Sequence, residues 1–111
     1  MEFRTSRIKN YTVLAIHGEI DYFNIDEFKK EVLALPEGND LHVIIDLENI
    51  TFIDSSGIGT LVICHRAMKK KGGSLSLYKV PPDIMVLIKM STIDQFISIY
   101  QSENEIPEIN Y

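Results

Sequence analysis

The chain contains no tryptophan and a single cysteine, Cys64. One cysteine excludes an internal disulfide and any zinc site built on several thiolates. It is compatible with a reducing compartment. Long apolar runs are also missing: the longest cover a few residues, far short of the roughly 20 that a membrane-crossing helix needs. No such stretch follows Met1-Glu2-Phe3-Arg4-Thr5, so neither a secretory signal nor membrane insertion is expected. Positive charge is outnumbered, with 11 lysines and arginines against 16 aspartates and glutamates. The formal net charge is -5, and the only basic cluster is Lys69-Lys70-Lys71. Nucleic acid is therefore not an expected partner, since phosphate binding requires a concentrated basic surface. The three lysines have a structural role available at a helix C-terminus, where cations complement the helix dipole. Neither a G-x-x-x-x-G-K-[ST] loop nor a G-x-G-x-x-G fingerprint occurs, and Gly57-Ile58-Gly59 is only a fragment of one. His17, His42 and His65 are too scattered to read as metal ligands. No cofactor, no metal and no catalytic residue is expected, and Cys64 reads as an inert thiol. The expectation is a soluble, cytoplasmic protein that is not an enzyme.

What is present suits one compact domain: 111 residues, 45% of them apolar. Phe3 to Ile8 and Tyr11 to His17 read as strands joined by the tight turn Lys9-Asn10, an antiparallel hairpin ended by Gly18. Asn24 to Leu35 reads as a helix, with Ile25, Phe28, Val32 and Leu35 on one buried stripe. Asn24 and Glu27 suggest a capping box, and Pro36-Glu37-Gly38-Asn39 stops the helix. Leu41 to Leu47 holds Val43-Ile44-Ile45, apolar without alternation, as in a strand covered on both faces. Glu48 to Ile53 reads as a connection. Ser55 to Lys71 is the second helix, closed by Gly72-Gly73. Leu75 to Val80 is a strand, Pro82 opens a third helix with Ile84, Leu87 and Ile88 inward, and Phe96 to Tyr100 is the last strand. Residues 102–111 read as a loose tail, helical for one short stretch at most. Strands alternating with helices imply parallel crossovers. The fold class is α/β, with a mostly parallel four- to five-stranded sheet, an antiparallel hairpin at its edge and helices packed against it.

The segment that does not read as scaffolding is Asp54-Ser55-Ser56-Gly57, at the entry to the second helix. Sites in open α/β sheets cluster beyond the C-terminal ends of strands. Ser55 has an ordinary explanation as an N-cap. Three features point further. Gly57 and Gly59 each cost a helix about 0.5–1 kcal/mol relative to alanine, so something must require them. The stripe Ile58, Leu61, Val62, His65 and Met68 supplies a core face, while Gly57, Thr60, Cys64 and Ala67 form a small, uncharged face suited to docking. A helix N-terminus also accommodates phosphate. Phosphorylation would place roughly 1.5–2 negative charges beside Asp54 and Asp21 on a neutral docking surface. Ile63 is a large apolar residue open to either interface or core.

On these residues the chain resembles the anti-sigma factor antagonists of bacteria, free-standing STAS domains. The resemblance runs through the opening hairpin, Gly18-Glu19-Ile20-Asp21, Ile45-Asp46-Leu47, Phe52-Ile53-Asp54-Ser55-Ser56-Gly57-Ile58-Gly59 and Gly72-Gly73. It implies that Ser55 is the phosphorylation point and that a serine kinase doubling as the anti-sigma factor phosphorylates it. The unphosphorylated form would bind that kinase and free the sigma factor, and a PP2C-type phosphatase would reset the switch. Asp21, Asp54, Ser56, Gly57 and Thr60 would contact the partner. Pro107 and the polar tail shorten the final helix such proteins carry. Two other classes stay open. A STAS scaffold subunit of a stress-signalling complex, or of a lipid or anion transport system, would keep the fold without the switch. An aspartyl-phosphate receiver would use Asp46, but Lys9-Asn10 stands where its acidic pair belongs.

Overall fold

The computed structural model describes residues 1–35 and 41–109. Its elements are β1 (Glu2–Ile8), β2 (Tyr11–Ile20), α1 (Ile25–Ala34), β3 (His42–Asp46), β4 (Ile50–Ile53), α2 (Ser55–Lys70), β5 (Ser74–Tyr78), α3 (Pro82–Ser91) and β6 (Ile99–Tyr100). Short 3-10 turns occupy Ile93–Gln95 and Glu103–Glu105. The expected stop at residues 36–39 lies outside the described residues.

β1 and β2 form the antiparallel hairpin, in register from Glu2 opposite His17 to Ile8 opposite Tyr11. Lys9 turns the chain with φ of 53°, as a tight hairpin link requires. Among the described residues every other strand pair is parallel, in the order β1-β2-β3-β5-β6 with β4 beside β2. Each crossover from β2 onward moves the same way across the sheet. Because such crossovers are right-handed, the helices they contain fall on one face. Phe28 and Val32 of α1, Leu61, Cys64 and Met68 of α2, and Ile84 and Ile88 of α3 accordingly share one core with Leu14, Ile45 and Leu77 of the strands.

The alternate residues of those strands point to the opposite face, where Tyr11, Val13, Ile44 and Tyr78 form a second cluster around Ile106. The segment expected to be a loose tail supplies this cover. Ile106 is 1% exposed. Lys9 Nζ donates to its carbonyl, and the Tyr11 hydroxyl donates to the Pro107 carbonyl at 2.9 Å. Ser102 and Glu105 cap the 3-10 turn reciprocally. Val43-Ile44-Ile45 is therefore buried from both sides, as its unbroken apolar run implies.

Several boundaries differ from expectation. Glu48 to Ile53 is not a bare connection, because Ile50–Ile53 is a strand. β2 does not end at Gly18 but continues to Ile20, and β4 pairs with this extension beyond the residues that pair with β3. Gly18 marks the change of partner with φ of 122° and a register shift, a conformation that favours glycine. Among the described residues the sheet thus has six strands. Asn24 stands at the N-cap of α1 without capping it. Its side chain faces backward, accepting from Asp21 N–H at 2.8 Å and donating to the Glu19 carbonyl at 2.8 Å. The last strand is limited to Ile99–Tyr100, with Phe96 half exposed. Leu87, expected inward, is 41% exposed on α3.

Candidate functional site

α2 starts where β4 stops, and Asp54 is the residue that starts it. Its backbone is extended, and its Oδ1 accepts from Gly57 N–H at 3.0 Å and from the Ser56 hydroxyl at 2.6 Å. Its Oδ2 accepts from Tyr22 N–H at 3.0 Å, in the turn between β2 and α1. The Ser56 hydroxyl, helped by the N–H groups of Gly57 and Tyr22, holds the Asp54 carboxyl below the usual carboxylate range, against the opposing effect of burial. Capping therefore belongs to Asp54 and not to Ser55.

The two serines differ. Ser56 is half-buried, with its hydroxyl committed to Asp54 and its carbonyl accepting from the Thr60 hydroxyl at 2.8 Å. Ser55 is exposed at the first position of the helix. Of the pair, Ser55 is the one presented to solvent.

Gly57 is required by packing. A Cβ there would lie 2.6 Å from Ile53 Cγ1, 2.9 Å from Ile20 Cγ2 and 3.0 Å from the Ile20 carbonyl oxygen. The head of α2 sits directly on the paired ends of β2 and β4. This corrects the expected docking face. Gly57 is buried, Thr60 is 5% exposed and Cys64 is fully buried, so the small face looks inward, where α2 packs on α1 and the sheet. Small side chains there permit close helix packing. Gly57 and Thr60 lie beneath the surface of the site and not on it. Burial also pushes the Cys64 thiol up to about 11, in keeping with an inert thiol.

The outward side of α2 carries Ser55, Gly59 and Ile63, all exposed. Between it and α3 runs a groove of about 500 Å³ lined by Ser55, Gly59, Val62, Leu87, Met90 and Ile93, among others. Met90 is 76% exposed. Leu87 and Met90 were not expected at the site. Their signal lay in α3 itself, where Ile84, Met85, Val86, Leu87, Ile88 and Met90 are more apolar residues than one buried stripe can hold.

Asp21 lies at the same end of the sheet. Its Oδ1 accepts from Phe23 N–H at 2.9 Å and its carbonyl accepts from Asn24 N–H at 3.1 Å. It shapes the turn that Asp54 holds. The structure thus gathers Asp21, Asp54, Ser55 and Ser56 around one helix N-terminus, with an apolar groove beside it.

Comparison with known proteins gives this geometry a family. The sequence profile of the STAS domain matches residues 2–106. The anti-sigma-B factor antagonist of Bacillus subtilis is 31% identical over 85 residues, covering 76% of each chain. The anti-sigma F factor antagonist of Paenibacillus polymyxa is 27% identical over 99 residues, covering 87% of this chain and 85% of that one. Among solved structures, the anti-sigma factor antagonist SpoIIAA in its unphosphorylated form superposes with a TM-score of 0.74 at 21% identity, covering 94% of this chain and 92% of that one. The phosphorylated form of the Bacillus cell fate determinant SpoIIAA gives 0.67 at 20% identity, covering 94% and 96%. Among the described residues, no helix is long and apolar enough to cross a membrane. The chain is a STAS domain and belongs to the family of the anti-sigma factor antagonists.

Proposed function

We propose that this protein is a phosphorylation-controlled anti-sigma factor antagonist that works in the cytoplasm, by binding and not by catalysis. Its unphosphorylated form binds an anti-sigma factor that is also a serine kinase, and so regulates transcription that depends on the sigma factor. The kinase phosphorylates Ser55, and a PP2C-type phosphatase restores the free serine. The observation that carries this reading is the position of Ser55. It is exposed at the first turn of α2, relieved of capping by Asp54, and it lines the apolar groove between α2 and α3.

The chemistry follows from that position. A phosphate at the head of α2 meets the positive end of the helix dipole at an exposed position, so the fold tolerates it. A partner seated on the groove would have to desolvate a group of roughly 1.5–2 negative charges against Val62, Leu87 and Met90. Asp54, held ionised next door, adds repulsion. Binding is lost through local sterics and charge, without unfolding.

The test is a pull-down from native lysate with wild type, Ser55→Ala and Ser55→Glu, followed by mass spectrometry and reconstitution with the purified kinase. The expected result is a kinase-type anti-sigma factor retained by wild type and Ser55→Ala and lost with Ser55→Glu. An acid-stable phosphate should appear on wild type and be absent from Ser55→Ala. Equal retention by Ser55→Glu would favour a scaffold role, and an acid-labile phosphate would point to an aspartate.

A further inference from the structure

The turn between β2 and α1 carries two aromatic rings that the fold does not use. Phe23 is 91% exposed and Tyr22 is 70% exposed. Neither belongs to the core clusters described above. They contact each other edge to face, with centroids 5.7 Å apart and planes at 83°. The backbone beneath them is fixed at successive points. Tyr22 N–H donates to Asp54, Phe23 N–H to the Asp21 carboxylate, and Asn24 N–H to the Asp21 carbonyl. Asn24 in turn accepts from Asp21 N–H and donates to the Glu19 carbonyl. An exposed aromatic pair on a floppy loop would be an accident of composition. A pair on a backbone held this firmly has its ordering entropy already spent, the condition under which aromatic side chains act as binding anchors.

We propose that Tyr22 and Phe23 are the anchor by which the partner selects this chain, seated in an apolar recess rimmed by lysine or arginine on the kinase-type anti-sigma factor. The proposal rests on the reading given under Proposed function and names the recognition element of that same surface. Charge identifies the occupant. Residues 19–28 contain Glu19, Asp21, Asp26 and Glu27 and no lysine or arginine, and Asp54 adds another carboxylate through its bond to Tyr22. A second copy of this chain would bring the same carboxylates and be repelled. A cationic rim is attracted, and arginine also stacks on aromatic faces.

The anchor and the switch are neighbours with separate tasks. Tyr22 is tied to Asp54, and Ser55 follows Asp54 on the side of the groove. The turn sets which partner binds, and Ser55 sets when. Phosphate still breaks the complex despite a cationic rim, because it must be desolvated against the groove and not against the turn.

The experiment uses the purified anti-sigma factor from the reconstitution above, with affinity measured at two salt concentrations. Phe23→Ala and Tyr22→Ala should each weaken binding at least tenfold while leaving the melting temperature unchanged, and should raise the KM for phosphorylation of Ser55 more than they lower kcat. Asp26→Asn with Glu27→Gln should slow association and flatten its salt dependence. If the Tyr22→Ala, Phe23→Ala double variant binds within twofold of wild type while Ser55→Glu does not bind, the anchor is wrong and the switch stands. If wild type itself binds no anti-sigma factor, both fall. If light scattering finds a wild-type dimer that Phe23→Ala converts to monomer, the occupant is a second copy and the proposal is overturned.

Discussion

The Oδ2 atom of Asp54 accepts a hydrogen bond from the backbone N–H of Tyr22 at 3.0 Å. One carboxylate thereby starts a helix with one oxygen and secures a distant turn with the other. Asp54→Ala removes both, and loss of the cap alone costs about 0.5–2 kcal/mol. The expected outcome in urea titration is a loss toward the upper end of that range. Asp54→Asn should lose less, since its single side-chain oxygen can still cap. Amide exchange at Tyr22 and Phe23 should rise in Asp54→Ala.

The two glycines of α2 should respond oppositely. Gly57→Ala drives a methyl group against Ile53, Ile20 and the Ile20 carbonyl, an overpacking that costs about 1–3 kcal/mol. A Cβ at Gly59 meets nothing within 4 Å, so Gly59→Ala should stabilise the helix by about 0.5–1 kcal/mol. Because Gly59 lines the groove, Gly59→Leu should obstruct a partner without lowering the melting temperature. Thermal melts paired with binding measurements check both.

Ser55 is exposed and outside the cap. Ser55→Ala should change stability by less than about 0.5 kcal/mol. Ser55→Glu places an acid at a helix N-terminus, where it is favourable, so it should not destabilise. Circular dichroism melts check this, and a large loss of stability in Ser55→Glu would mean that its binding defect reports unfolding and not the switch.

His65 gives stability a pH dependence. It is 9% exposed, with its ring against Phe96 at 5.7 Å between centroids. Burial, assisted by Lys69 and Arg66, holds the imidazole below its ordinary value of 6.5, against a weaker contribution from the Leu75 backbone. The unfolded chain therefore binds the proton more readily. His65's stabilising contribution is complete above pH ~6.5 and falls as pH drops toward the lowered folded value, by at most about 1.4 kcal/mol per pH unit. Urea midpoints at pH 7.5 and 5.5 should differ in wild type and converge in His65→Phe.

Much of this fold was legible in the sequence. Phe28 and Val32 at helical spacing, and the unbroken Val43-Ile44-Ile45, report burial on one side and on two sides respectively. What escaped was decided by tertiary partners. β4 is short and mixes Thr51 and exposed Phe52 with two core isoleucines. It is a strand because β2 continues past Gly18 to meet it. The small face of α2 has the same composition whether it greets solvent or a close neighbour, and only the position of α1 decides. Ser55 was legible as the candidate residue, whereas the groove beside it needed α3 in place. The aromatic turn is partly held by its neighbours Asp21 and Asn24, but the bond that ties it to the head of α2 comes from Asp54, which no local pattern reveals.

Ile106 turns an apparently dispensable segment into structure. Ile106→Ala should cost about 2–5 kcal/mol, measured by urea titration. Binding of the partner to the folded fraction should be unchanged, since Ile106 packs on the face opposite the helices.

Because the crossovers place α1, α2 and α3 on one side of the sheet and Ile106 covers the other, the two sides can be altered independently. Substitutions among Tyr11, Val13, Ile44, Tyr78 and Ile106 would tune how long the protein survives. Substitutions around Ser55 and the β2–α1 turn would tune what it answers to. A cell lineage could thus adjust the lifetime of the signal and the identity of the listener on separate schedules.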